Sequence, residues 1–214
     1  MQVDQFMESN FSGLALRPPL FYHWDVGIRF ELGVDYEFDN IYENCPYIRG
    51  VYDRAITLFK TVHSPADDLF MVVDVHDYAE GEVFKRKLNT FSKYIKKKSV
   101  LYKLQENTIP FVFPEDDEDG EYKTYRFTLK CKAEDIAYIP LLKAICNQDM
   151  ALQPKIFHYV YFINMTKKTI FHVYDDRGCD LLAASPQTIR GIYESYNEWI
   201  LDYDREKIDQ VFAE

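Results

Sequence analysis

The stretch Phe157–Ala184 constrains the fold most, because it is largely apolar and is divided by two short clusters of polar residues. The interruptions, Asn164–Lys168 and Asp175–Gly178, leave short runs rich in aromatic and β-branched residues. Runs of this length and composition, separated by turn-forming residues, are typical of strands. The sequence therefore predicts a hairpin of Phe157–Ile163 with Thr169–Tyr174, followed by a third strand at Cys179–Ala184.

The hairpin register follows from matching apolar residues across the two strands. A slip of one residue would move every buried side chain to the opposite face. The favoured register makes four pairs: Ile163 with Ile170, Phe162 with Phe171, Val160 with Val173, and His158 with Asp175.

The remaining sequence alternates helical and strand patterns. Strands are predicted at Trp24–Leu32, Leu69–Val75, Ile109–Phe113 and Tyr122–Leu129, and helices at Tyr47–Lys60, Phe84–Ile95, Glu134–Cys146 (kinked or restarted by Pro140), from Ser185-Pro186 onward, and at Asp204–Phe212. This order indicates an α+β protein with a largely antiparallel sheet and four to five packed helices. At 214 residues, the whole chain, 1–214, is expected to form a single domain.

Several functional classes are disfavoured by composition. The chain has no apolar run long enough for a transmembrane helix, and its polar, acidic start is unlike a signal peptide. Four scattered cysteines, with no zinc-ligand spacing, indicate reduced thiols in a cytoplasmic protein. We therefore expect no membrane association, no metal and no cofactor.

Charge is distributed unevenly along the chain. The net charge is −10, yet Lys85–Lys98 contains seven basic residues and no acidic one. Removing those seven from the 25 basic residues leaves 18 against 35 acidic ones. Outside the basic segment the chain is strongly acidic, and this negative charge disfavours nucleic acid as a partner. The acidic loop Glu115–Glu121 could instead attract a basic protein.

The candidate ligand-binding site is the cluster Asp175, Asp176, Arg177 and Asp180. Its carboxylates could hold a divalent cation or share a proton, and its guanidinium could bind a phosphate or carboxylate. The alternative is a structural turn at Asp-Arg-Gly, with Arg177 paired to an acidic neighbour. Further candidates come from other strands: Asp25, Arg29, Glu31 and His158. His158 could act as a base oriented by Asp175, with Cys179 as the nucleophile. No catalytic residue is assigned.

Four motifs give the chain a family resemblance: Leu16–Tyr22, Arg29–Gly33, Tyr174–Asp180 and Trp199–Tyr203. With them, the chain resembles the bacterial domain-of-unknown-function family three-eight-eight-five over nearly its whole length. The resemblance implies a small soluble bacterial protein, and it suggests an association with toxin–immunity gene neighbourhoods. It implies no catalytic residues.

The sequence favours a protein-binding function of the immunity or regulatory type, acting through an acidic surface, over an enzymatic one. The alternative is a hydrolase or phosphoryl-handling enzyme with its site around Asp175–Asp180. That alternative requires the candidate side chains to converge in one pocket.

Overall fold

The centre of the protein is one antiparallel sheet of seven strands. The computed structural model describes residues 2–36, 42, 45–78 and 89–213. The strand order across the sheet is β1-β7-β6-β5-β2-β4-β3. The strands are β1 Gly27–Glu31, β2 Asp68–Asp77, β3 Gln105–Pro110, β4 Lys123–Lys132, β5 Tyr159–Asn164, β6 Thr169–Val173 and β7 Gly178–Ala183. This architecture confirms the predicted α+β class, while the single-domain assignment stays a prediction.

The hairpin β5–β6 has the predicted register. Phe162 pairs with Phe171 and Ile163 with Ile170. The third strand, β7, continues the antiparallel order by pairing with β6. The ladder does not reach the proposed pair of His158 with Asp175, because β5 begins after His158 and β6 ends before Asp175.

Helices cover both faces of this sheet. The helices are α1 Val3–Asn10, α2 Pro46–Val62, α3 Thr90–Tyr94, α4 Tyr138–Cys146, α5 Pro186–Ser195 and α6 Arg205–Phe212. Helices α2 to α6 contribute to the larger apolar core on one face. Helix α1 and the segment that follows it form a second core on the other face. Because side chains alternate along a strand, the four neighbouring strands β2, β5, β6 and β7 supply both cores.

Most predicted elements are present with shifted ends. Helix α2 begins at Pro46, where the fixed φ of proline suits a first helical position. The strand predicted at Trp24–Leu32 is confirmed over β1, with Ile28 and Phe30 fully buried. Pro140 lies in the first turn of α4, so the predicted helix does restart there after a 3-10 turn at Ala133–Asp135.

Three elements differ from expectation. The strand predicted at Ile109–Phe113 is wrong in position, because β3 ends at Pro110. The helix predicted at Phe84–Ile95 is formed over α3, and its residues 84–88 lie outside the described residues. Helix α1 was not predicted; it buries Val3, Phe6 and Met7.

No helix in the described ranges combines the length and apolarity needed to cross a bilayer.

Candidate functional site

Arg177 and Asp175 form a closed pair in the turn between β6 and β7. The Arg177 backbone N–H donates to Asp175 Oδ1 (2.8 Å), and Arg177 Nε donates to Asp175 Oδ2 (2.9 Å). Arg177 Nη2 also contacts Asp175 Oδ2 and lies 3.5 Å from Asp149 Oδ2. Asp175 is buried, whereas the Arg177 side chain is 73% exposed. The guanidinium therefore has carboxylate partners inside the fold and still presents one face to solvent.

Asp176 turns instead toward helix α2. Tyr47 Oη donates to Asp176 Oδ2 at 2.5 Å. The carboxylate is buried, and this burial raises the pKa of Asp176 despite the hydrogen bond from Tyr47. Burial of the Tyr47 phenol, together with its hydrogen bond to the Asp176 carboxylate, raises the pKa of Tyr47. Asp176 is thus anchored to α2 through Tyr47.

Asp180 belongs to the sheet face that carries α1. Along β7 it has the parity of Leu182, which packs in the α1-side core. Phe21 N–H donates to Asp180 Oδ2 (3.2 Å), and Arg29 Nε lies 3.7 Å from Asp180 Oδ1. Complete burial raises the pKa of Asp180 to about 6.

Arg29 is the hub of a polar group that we call the Arg29 cluster: Arg29, Tyr22, Tyr174, Asp180 and Asp204. Arg29 donates through Nε to Tyr174 Oη (3.1 Å) and through Nη1 to Tyr22 Oη (2.8 Å). Nη1 also lies 3.4 Å from Asp204 Oδ2, and Tyr22 Oη donates to Asp204 Oδ1 at 3.0 Å. One cation therefore balances two buried carboxylates, and both phenol rings lie within cation–π distance of it.

A row of buried polar groups continues from Asp180 across the sheet. His172 is the cross-strand partner of Asp180 in β6, and its ring stacks on Tyr161 with centroids 4.5 Å apart. His172 Nδ1 donates to the Val160 carbonyl (2.9 Å), so Nε2 is left as an acceptor. Burial lowers the pKa of His172 to about 4, which keeps the ring neutral. Nε2, Tyr161 Oη and Asp180 Oδ1 have no hydrogen-bond partner among the described residues.

The other predicted site residues are not brought into this group. Asp25 is exposed, and Glu31 is half-buried at the end of β1, where its carbonyl accepts from Arg54 Nη1. Burial lowers the pKa of His158, with no carboxylate among the causes. Cys179 is fully buried and its thiol pKa is raised, so it is not an activated nucleophile. Of the predicted residues, the structure places Arg29 beside Asp180, and Asp175 beside Arg177.

Sequence reasoning missed Tyr22, Asp204 and His172. Asp204 begins the last predicted helix, yet its side chain makes no capping hydrogen bond and instead contacts Tyr22 and Arg29. The available signal was strand parity: in the β6–β7 register, His172 and Asp180 share one face. That signal could have indicated His172 but not the contacts made by residues from loops.

A groove of about 410 Å³ lies between α1 and the β3–β4 end of the sheet. Its lining is mainly apolar and includes Arg126. That guanidinium is already held by Asp74 (2.8 and 2.6 Å) and the Leu16 carbonyl (3.2 Å). Within the described part of the chain, no group of three or more His, Cys, Asp or Glu residues is placed to hold a metal ion.

The fold and its buried polar groups define an α+β protein built on a seven-stranded antiparallel sheet, without an assembled catalytic set in the described residues. The chain belongs to the family described as Domain of unknown function (DUF3885), whose model matches residues 3–204. It is 33% identical to the uncharacterized protein YnaE of Bacillus subtilis (strain 168) over 216 residues, covering 95% of this chain and 99% of that relative. No solved structure matches the chain.

Proposed function

We propose that the protein is a binding protein of the immunity or regulatory type, which uses an acidic surface to hold a basic protein partner. The observation that carries this proposal is the loop 111–122, which joins β3 to β4 at the edge of the sheet. Four carboxylates on it are exposed and have no ion-pair partner among the described residues: Asp116, Glu118, Asp119 and Glu121. The chain as a whole carries a net charge of −10, which adds to the attraction of a cationic surface.

The loop has internal contacts that hold its base and its tip. Glu115 pairs with Arg17 (2.9 Å), and Arg17 also donates to the Val112 carbonyl (3.3 Å). Asp117 turns inward and accepts from the backbone N–H groups of Glu121 (2.9 Å) and Tyr122 (3.2 Å). Since Glu115 and Asp117 are used internally, the remaining four carboxylates are the ones presented outward.

Strand β3 gives this acidic surface a second recognition element. It is the last strand in the sheet order and pairs only with β4 among the described strands. Residues Gln105–Thr108 are exposed and polar. An edge strand can add one further extended segment through main-chain hydrogen bonds. A basic extended segment fits both elements, because its backbone would pair with β3 while its charges lie near the loop.

The enzymatic alternative has less support. It needs Asp175, Asp176 and Asp180 to share a pocket, but each accepts from a different group: Arg177, Tyr47 and the Phe21 backbone. Arg29 and Asp180 do meet, yet Arg29 is already engaged by two tyrosines and Asp204. This arrangement favours a structural role for these groups.

The proposal is tested by pull-down at low and high salt with a four-fold variant, Asp116→Asn/Glu118→Gln/Asp119→Asn/Glu121→Gln. We expect a stoichiometric basic partner to be recovered by the wild type at low salt, and its capture to fall about tenfold or more in the variant. Raising the salt to several hundred millimolar should release the wild-type complex, because the Debye length then shrinks to a few ångströms.

The matched control neutralises four exposed carboxylates elsewhere: Asp53, Glu194, Glu198 and Glu206. It has the same net charge as the loop variant, so it separates local recognition from long-range attraction. Asn107→Lys on β3 should also weaken capture. Equal loss of capture in the control and loop variants would contradict a site on this loop, and failure to recover any basic partner would contradict the function.

A further inference from the structure

A second pocket, which we call the His63 pocket, lies where helix α2 ends. It has a volume of about 230 Å³ and is lined by Phe59, Lys60, His63, Pro65, Lys96, Ala133, Glu134 and Tyr138. The rings of Phe59 and Tyr138 are stacked, with centroids 4.6 Å apart and planes inclined by 13°. The volume is below the range of about 300–1,000 Å³ typical of drug-sized ligands, so any occupant must be smaller.

The protonation of His63 is fixed by Asn164. Asn164 Oδ1 accepts from the backbone N–H groups of Thr166 (3.0 Å) and Lys167 (2.9 Å), which orients the amide. Its NH₂ group therefore points the other way, donating to Asp67 Oδ2 (2.8 Å) and to His63 Nδ1 (3.1 Å). Because Nδ1 accepts, the neutral ring carries its hydrogen on Nε2.

The Nε2–H group of His63 is a buried donor without an acceptor. His63 is only 4% exposed, and Nε2 has no hydrogen-bond partner among the described residues. An unsatisfied buried donor of this kind is unfavourable, and a ligand that supplies the acceptor would relieve that cost. Asn164, which occupies the Nδ1 side, and Asp67 do not line the pocket, whereas His63 does.

Charge around the pocket favours an anion. Lys60 and Lys96 are exposed lining residues, opposed by one carboxylate, Glu134. Neither lysine makes an ion pair with another described residue. A phosphate would need several convergent donors, whereas this pocket offers one buried N–H, two flexible ammonium groups and an apolar aromatic wall.

We propose that the His63 pocket binds a small organic carboxylate, whose oxygen accepts from His63 Nε2 and whose apolar body lies against Phe59 and Tyr138. The two lysines supply the countercharge at the rim. The ligand class is set by this combination: a carboxylate for the single donor, and an apolar ring or short chain for the stacked wall. The site is separate from the acidic loop and does not rest on the proposed partner.

The experiment uses the full chain, with benzoate as probe and benzyl alcohol as its uncharged counterpart. We expect benzoate to bind with a Kd on the order of 1 mM or tighter by isothermal titration calorimetry. In ¹⁵N NMR spectra the His63 Nε2–H resonance should move on addition of benzoate and not of benzyl alcohol. Lys60→Gln/Lys96→Gln should weaken benzoate binding about tenfold, since each rim charge contributes up to about fivefold.

The control is Lys123→Gln/Lys130→Gln, which removes two exposed lysines of β4 that do not line the pocket. His63→Leu should abolish binding, and far-UV circular dichroism establishes whether that variant still folds. The lysine variants keep the test decisive even if it does not, because their side chains are exposed. No detectable benzoate binding, equal binding of benzyl alcohol, or equal weakening in the control would overturn the proposal.

Discussion

Arg29 and Asp180 lie directly opposite each other in the β1–β7 ladder, with Arg29 Nε 3.7 Å from Asp180 Oδ1. The pair joins strands that are far apart in sequence. Asp180 belongs to the polar stretch Asp175–Asp180, whereas Arg29 lies outside it. Arg29 also contacts Tyr22 and Asp204, which lie outside the sheet. The guanidinium therefore links β1 and β7 to the N-terminal segment and to the start of α6.

The first prediction concerns Asp180→Asn and the pH dependence of stability. Burial raises the pKa of Asp180 to about 6, above an unfolded value of about 3.9. The folded state thus holds this proton more tightly, so the contribution of Asp180 to the free energy of unfolding declines as pH rises from about 4 to 6. The whole decline is on the order of 3 kcal/mol, at about 1.4 kcal/mol per pKa unit.

Asp180→Asn removes this decline while retaining an oxygen that can accept from the Phe21 N–H. Relative to the wild type, the variant should gain up to about 3 kcal/mol in stability between pH 4 and pH 7, as measured by urea unfolding. Asp53→Asn, which changes an exposed carboxylate on α2, is the matched control. A difference that stays constant with pH would contradict the burial argument.

The second prediction concerns Asp175 and Arg177. Arg177→Ala should destabilise the protein by about 1 kcal/mol, because a mostly exposed guanidinium contributes little. Asp175→Ala should cost more, about 2–3 kcal/mol, since it also removes the buried acceptor of the Arg177 backbone N–H. A double-mutant cycle in urea should give a coupling energy near 1 kcal/mol.

Arg49→Ala, which truncates an exposed arginine of α2, should stay within about 0.5 kcal/mol of the wild type. A stabilising Arg177→Ala with a neutral Asp175→Ala would show instead that Arg177 is held for a ligand.

The sequence predicted the strands β5, β6 and β7 well because their apolar residues match across each pair. Phe162 and Ile163 could be aligned with Phe171 and Ile170 from the pattern alone. Strand β3 has no such pattern: Gln105–Thr108 are polar and exposed, and the strand exists because it pairs with β4. Helix α1 could not be predicted for a related reason, since its three buried residues lie in a short, otherwise polar segment.

The location of the candidate site could be predicted from the sequence, but the contacts of its side chains could not. Asp175, Asp176 and Asp180 are close in sequence, yet a turn directs the first two to Arg177 and Tyr47 while strand parity directs Asp180 to the α1 face. The neighbours that decide their roles come from β1, from α2 and from the N-terminal segment. Sequence spacing within one segment does not contain that information.

The third prediction concerns acid sensitivity from His172. Its pKa is lowered by burial to about 4, below an unfolded value of about 6.5. The unfolded chain therefore binds this proton more tightly, and stability should fall as pH drops from about 6.5 to 4, by about 3 kcal/mol from this residue.

His172→Phe should flatten that fall, at a cost of about 1–3 kcal/mol at pH 7 for the unpaired Val160 carbonyl. Thermal unfolding from pH 4 to 7 measures the slope, and His23→Gln controls for an exposed histidine. An unchanged slope in His172→Phe would refute the assignment.

The fourth prediction contrasts two glycines. Gly178 opens β7, and a Cβ there would lie 2.7 Å from the Phe30 carbonyl oxygen and would also meet the Tyr174 hydroxyl. Because the first contact is with backbone of the paired strand β1, it cannot be relieved by a rotamer change. Gly178→Ala should therefore destabilise the protein by about 2–3 kcal/mol, the usual cost of overpacking.

Gly50, in contrast, lies inside α2, and a Cβ there would meet no atom within 4 Å. Gly50→Ala should raise stability by about 0.5–1 kcal/mol, because alanine loses less backbone entropy in a helix. Chemical denaturation of both variants tests the pair. β1 and β7 approach each other at Gly178, just beside Arg29 and Asp180. A tolerated alanine there would therefore mean that the two strands can separate at this point and that the ion pair between them contributes little.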